Sequence, residues 1–258
     1  MKVRISNYSN AEHPIITIYK AYRLCYSSGE QSEIKLPMTE NHEVDFDKMQ
    51  DFILDKVIKN HTTPLEHVSF TFEISGVSRA LTHQLVRHRT GKFNQQSQRY
   101  VKLGQFEYII PPSIRGDEEL KARFIEEMER DQQAYDFFVD KLITNQITSK
   151  YPDFSFPENH ELFKTLYKKA YIKFEKSAIE DARYIFSNAC TSNITVTFDL
   201  NNFRKFYNLR NCVHAQWEIR QLAKIMGSLV SDIVPFALRG AMSCNKICFD
   251  CIGLQSQS

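Results

Sequence analysis

The sequence predicts a single α+β domain: a mixed or antiparallel sheet flanked by long helices, with a helical excursion in the middle of the chain. Three observations lead there. Val68–Ile74 alternates apolar Val68, Phe70, Phe72 and Ile74 with polar Ser69, Thr71 and Glu73, the period of a half-buried strand. Asp45–Lys59, Asp117–Thr144 and Asn202–Ile225 carry their apolar residues at helical spacing. No internal repeat, low-complexity tract or clear linker divides the 258 residues, although 240–258 reads as a candidate flexible tail.

In chain order, Lys2–Tyr22 reads as one or two short strands, Lys2 and Arg4 alternating with Val3 and Ile5 before apolar Ile15, Ile16, Ile18 and Tyr19. The helix over Asp45–Lys59 shows Phe46, Met49, Phe52, Ile53, Val57 and Ile58 on one stripe and is broken by Thr62-Thr63-Pro64. After the strand at Val68–Ile74, Ser78–Arg89 returns to a helical period through Leu81, Leu85 and Val86, with Gly91 just past its end. Asn94–Tyr100 is a polar, helix-poor loop. Glu107–Ile110 is a short strand stopped by Pro111-Pro112. The long helix over Asp117–Thr144 leads to a loop at Tyr151–Pro157. A helical stretch at Leu162–Asn188, a strand at Ile194–Phe198 and the helix Asn202–Ile225 complete the pattern.

Composition excludes several function classes. With 42% apolar and 25% charged residues the chain is of ordinary globular type, and its net charge of +2 is too mild for bulk nucleic-acid binding. No apolar run approaches the ~20 residues that span a bilayer, and no signal-peptide pattern opens the chain. The six cysteines are scattered apart from a late cluster, which suits reduced thiols in a cytoplasm. Eight glycines are present and none forms GxGxxG or GxxxxGK[ST], so a bound nucleotide is not held by a Rossmann or P-loop turn.

The chemistry concentrates in Arg79–Tyr100. This segment holds Arg79, Arg87, Arg89, Lys92 and Arg99 with His83 and His88, and contains no Asp or Glu. Guanidinium forks match phosphate and carboxylate geometry, so a pocket for phosphorylated ligands is the first reading. Arg79, His83 and Arg87 fall four apart and share a helical face, with Gln84 beside them. A solvated basic face is the bland alternative. A non-catalytic single-stranded nucleic-acid binder is the rival from another class, although only Lys92, Phe93 and Tyr100 supply the expected basic and aromatic interleaving.

Arg87-His88-Arg89, seven residues and then Ser97 matches the RHR-x7-S signature, and the chain thereby resembles the flavin-dependent (alternative) thymidylate synthases. The words SRALTHQLVRHR, QRY, TPLEH at Thr63–His67 and NLRNCVHAQWEIR at Asn208–Arg220 resemble the same family in its order. The resemblance implies an FAD enzyme, a methyltransferase that converts dUMP to dTMP. Its one-carbon donor is methylenetetrahydrofolate, and NADPH supplies electrons through the flavin. It further implies a homotetramer with active sites shared between subunits; the composition adds the expectation of a cytoplasmic protein with neither nucleic acid nor membrane as partner.

By this resemblance Gln84, Leu85, Val86, Arg87, Gln95, Gln96, Ser97, Gln98, Arg99 and Arg183 line the dUMP site, and Arg210 is the catalytic arginine set against the pyrimidine. A fixed cation there stabilises charge developing on the uracil as N3 ionises or C5 attacks. Arg99 with the Ser97 hydroxyl suits a phosphate clamp. Ser97 has no Ser-His-Asp partners legible in the sequence and is assigned to binding. Thr63, Arg87, His88, Arg89, Gln95, Asp199, Asn201, Lys205 and His214 fall at FAD-contact positions, His214 four residues after Arg210 on one helix face. Glu66 and His61 flank the same pocket, with helix capping the alternative for Glu66. His13, His42 and His160 read as ordinary hydrogen-bonded or surface residues. The chain departs from the family pattern at Lys92, Ser187, Asp199-Leu200-Asn201 and Lys205, which bears on flavin contacts. No metal is expected. Cys244, Cys248 and Cys251 have the spacing of a radical-SAM iron–sulfur site, but only seven residues follow, which favours a thiol-bearing tail over a cluster or a zinc site.

Overall fold

The computed structural model describes residues 1–9, 11–97 and 106–239; Gln98, Arg99 and the tail with Cys244, Cys248 and Cys251 lie outside the described residues. The architecture is α+β, as the patterning predicts. Two compact units form, one from the described parts of Met1–Ser75, Leu81–Asn94 and Asn193–Ser258, the other from those of Gly76–Ala80 and Gln95–Ser192.

The first unit is built on a four-stranded sheet of order β1-β2-β4-β3, with β1 Lys2–Tyr8, β2 Ser69–Ser78, β3 Lys92–Gln95 and β4 Thr191–Asp199. β1 pairs antiparallel with β2, Val3 opposite Ile74 and Ile5 opposite Phe72, and the register shifts between Ile5 and Asn7. The alternation noted in β2 buries Phe70, Phe72 and Ile74, and β4 buries Ile194, Val196 and Phe198 by the same period. α8 Leu200–Arg210 lies over this face, with Phe203 stacked on Phe72 at 5.6 Å and Phe206 on Phe198 at 5.3 Å.

Where the first unit departs from the sequence reading, the reason is local. Residues 14–24 form a helix, α1 Pro14–Leu24, and not a second strand. Buried Ile15, Ile18, Tyr19 and Tyr22 fall at helical intervals, Pro14 sits at the first helical position, and the His13 side chain accepts from Ile15 N. α1 packs on α2 Phe46–Ile58, the helix that the spacing predicts, with Tyr19 edge-on to Phe52 at 5.3 Å. The TPLEH word forms a 3₁₀ turn, Thr63–His67. α3 Arg79–Leu85 ends before Arg87, which therefore lies beyond the helix and does not extend the face of Arg79 and His83. The polar segment after Gly91 begins as strand β3, with Phe93 edge-on to Phe198 at 6.0 Å.

The helix expected over Asn202–Ile225 is two helices. α8 starts at Asp199, whose carboxylate accepts from Asn202 N at 2.8 Å, and stops at Arg210. α9 Trp217–Ser231 starts afresh where the Gln216 side chain accepts from Glu218 N and Ile219 N. Asn211, Cys212, Val213 and His214 between them are all modest helix formers, so the cap prevails over continuation. Arg220 Nη1 donates to Val213 O at 2.8 Å and braces the connection.

In the second unit α5 Glu118–Lys150 runs six residues past the expected Thr144. Asp117 caps its N-terminus, accepting from Glu119 N and Leu120 N. The stretch Leu162–Asn188 is divided into α6 His160–Leu166, α7 Lys168–Ala182 and a 3₁₀ turn Arg183–Ile185. Tyr135, Val139, Ile143 and Ile147 of α5 form a core with Phe163, Tyr171, Phe174 and Ala178. Short α4, Pro112–Arg115, precedes α5, and the strand expected at Glu107–Ile110 is reduced to an isolated bridge between Tyr108 and Cys190.

Gly91 is forced by packing. A Cβ placed there meets Phe198 Cε1 and Phe93 Cζ at 2.6 Å each, so the turn between α3 and β3 closes only with glycine. Gly91→Ala is expected to lower the thermal midpoint through an overpacking cost of about 1–3 kcal/mol. An unchanged midpoint in calorimetry means the two rings yield freely.

Candidate functional site

The RHR word sits on a turn that three backbone hydrogen bonds define. His88 N donates to Leu85 O at 3.1 Å, Arg89 N to Arg87 O at 3.1 Å, and Gly91 N to His88 O at 2.9 Å. Arg87 and Arg89 are exposed and His88 is half-buried, so the turn presents two cations outward and one imidazole inward. That imidazole packs edge-on to Phe206 at 5.0 Å, and its Nε2 accepts from Arg210 Nε at 2.9 Å. The contact joins two sequence words 122 residues apart. Burial, seconded by the Arg210 charge, pushes the His88 pKa down from 6.5 to about 4.

Other predicted residues of the first unit take definite places. Gln84 is half-buried on α3 and Val86 is exposed just after it. Leu85 is fully buried, and its carbonyl oxygen is already engaged by His88 N. Thr63 opens the 3₁₀ turn, and Glu66 in the same turn accepts from Asn201 Nδ2 at 2.8 Å, a tie to α8. Asp199 is engaged as the α8 cap through Asn202, whereas Lys205 is exposed. His214 does not share a helical face with Arg210, because it lies in the α8–α9 connection, where it is exposed.

In the second unit, Gln95 Nε2 donates to Ser192 Oγ at 2.9 Å, with Gln96 exposed and Ser97 half-buried after it. Arg183 caps α7, its Nε donating to Glu180 O at 3.1 Å and its guanidinium over Tyr184 at 5.9 Å. Among the described residues no group of three or more His, Cys, Asp or Glu could hold a metal, and no helix is long and apolar enough to cross a membrane.

Two features escaped the sequence reading. A cavity of about 630 Å³ opens in the first unit, with Thr63, His61 and His67 on one side and Thr17, Leu24, Cys25 and Gln31 on the other. Its second wall is α1 and the segment after it, hidden by the expectation of a strand there. His61 is held in this wall by Tyr22, which stands edge-on to its ring at 5.2 Å and donates to its carbonyl oxygen. The second is Arg204, a buried arginine donating to Ala237 O and to Arg239 O. Its spacing, one helical turn after Leu200 and three residues before Tyr207 on the buried face of α8, was the available signal.

Comparison with known proteins gives one family. The family described as thymidylate synthase complementing protein, Thy1, matches residues 6–236. The flavin-dependent thymidylate synthase of Clostridium tetani is 39% identical over 95% of this chain and 94% of its own. That of Nitratidesulfovibrio vulgaris is 36% identical over 95% of this chain and 89% of its own. Among solved structures, the Helicobacter pylori flavin-dependent thymidylate synthase complexed with FAD and dUMP aligns with a TM-score of 0.60 at 16% identity. It covers 94% of this chain and 100% of that one, a likeness of fold.

The depressed His88 pKa sets a pH dependence. Between 6.5 and about 4 the unfolded chain binds a proton at this imidazole that the folded chain refuses. The stabilisation is therefore whole above 6.5 and drains away as pH falls through that window. The expected result is a thermal midpoint that falls more steeply from pH 7 to pH 4.5 in the parent than in His88→Phe. Parallel curves would show that His88 titrates alike in both states.

Proposed function

The chain belongs to the thymidylate synthase complementing (Thy1) family, and on that premise we propose that it is a flavin-dependent thymidylate synthase. It methylates dUMP to dTMP, with methylenetetrahydrofolate as one-carbon donor and NADPH as the source of electrons through FAD. The observation that carries this reading is the Arg210–His88 hydrogen bond, which draws the RHR and NLR words onto one spot.

The residues divide the work by chemistry. Among the described residues Arg210 is tied to an imidazole and not to a carboxylate, so its positive charge remains for a pyrimidine. Set against uracil, it stabilises the negative charge that grows as N3 ionises or C5 becomes nucleophilic. Gln84, Arg87, Gln95, Gln96, Ser97, Gln98, Arg99 and Arg183, with the segment at Leu85 and Val86, bind dUMP, and Arg99 holds its phosphate.

FAD is held by Thr63, Arg87, His88, Arg89, Gln95, Asn201, Lys205 and His214, with Asp199 shaping the start of α8. The cavity beside Thr63 supports this. Its hydroxyl, amide and imidazole groups alternate with apolar Ala21, Leu24 and Pro64, which suits a ligand with flat apolar rings and polar edges. Bound FAD supplies the redox chemistry of the reaction, and the protein supplies position and field. The enzyme works as a cytoplasmic homotetramer with sites shared between subunits.

Titrating the flavin spectrum of the purified holoenzyme with dUMP tests whether both ligands share one cavity. The expected result is a saturable band shift. A colourless, well-folded protein that never consumes NADPH in the presence of dUMP contradicts the reading. Arg210→Ala is expected to cut dTMP formation on the order of 100-fold or more while leaving flavin binding in place. Parent turnover in that variant removes Arg210 from the chemistry.

A further inference from the structure

We propose that His88 is a positioning residue for Arg210: its Nε2 anchors the guanidinium through Nε, so that the Nη1 and Nη2 groups point as a fixed fork at the substrate. This rests on the role proposed for Arg210 and assigns His88 a task beyond cofactor contact.

The geometry is specific. Arg210 is the last residue of α8, and its long side chain would otherwise sample many rotamers. Nε is the donor nearest the backbone, so fixing it fixes the long torsions and leaves both terminal nitrogens unspent. The acceptor is itself immobilised. The backbone N–H and carbonyl of His88 are both used in its turn, and its ring stands at 84° to Phe206. Phe206 lies one helical turn before Arg210 and is stacked on Phe198 of β4. Ring, helix end and strand thus form one rigid unit, which is what preorganisation of a charged group requires.

The kind of acceptor matters as much as its place. A carboxylate at this position would hold Nε equally well but would neutralise the cation. A neutral imidazole accepting at Nε2 carries its proton on Nδ1 and takes nothing from the guanidinium charge. The depressed pKa of His88 agrees with that state.

The test is a double-mutant cycle read as dUMP affinity through the flavin spectrum of FAD-loaded protein. His88→Phe keeps the ring against Phe206 but has no acceptor, and is expected to weaken dUMP binding about tenfold when Arg210 is present. In the Arg210→Ala background the same change is expected to cost less than about twofold, because there is nothing left to position. His88→Gln, a neutral acceptor of similar reach, is expected to recover most of the affinity. It also serves as the measurement should the Phe variant not fold. Equal losses from His88→Phe in both backgrounds, or a Gln variant as weak as Phe, overturn the inference while leaving Arg210 in its role. If Arg210→Ala itself binds dUMP and turns over like the parent, the reading of Arg210 has failed instead.

Discussion

A single side-chain hydrogen bond, Arg210 Nε to His88 Nε2 at 2.9 Å, decides how the functional words of this chain meet. Without it the end of α8 and the RHR turn are two basic features on separate elements. With it a cation and an imidazole become one fixed group. The surrounding packing holds both ends: Phe206 and Phe198 seat the ring, Asp199 and Asn202 set where α8 begins, and Asn201 with Glu66 ties that helix to the TPLEH turn.

The fold makes this contact available at low cost. Gly91 lets the chain turn tightly between α3 and β3 against Phe198, so the RHR turn lies beside the strand that leads into α8. The chain leaves α8 just after Arg210 and starts α9 afresh at Trp217. A half-buried imidazole and a guanidinium are poor neighbours if both are charged. Keeping His88 neutral removes the repulsion and preserves the charge where chemistry needs it.

Much of this was legible in the sequence, and what was not has identifiable causes. The alternation of Val68–Ile74 and the stripe of Asp45–Lys59 are strong single-period signals, and both elements form within a few residues of expectation. His13, an ordinary hydrogen-bonded residue by its sequence context, caps α1, and His160 bridges Asp140 and Thr144. Residues 14–24 mislead because Ile15, Ile16, Ile18 and Tyr19 suit a strand by composition, while the helical spacing emerges only when Tyr22 is counted. The α8–α9 break depends on Gln216 acting as a cap, a residue type that carries little such signal. The motif words named the candidate residues, but no spacing rule connects His88 to Arg210. Only the tertiary fold does.

Nitrogen-15 NMR of the His88 imidazole in the FAD-loaded protein at pH 7 tests this most directly. A neutral ring with the proton on Nδ1 and an unprotonated, hydrogen-bonded Nε2, whose signal moves on Arg210→Ala, is the expected result. A doubly protonated ring, or an Nε2 signal indifferent to the loss of Arg210, would contradict it.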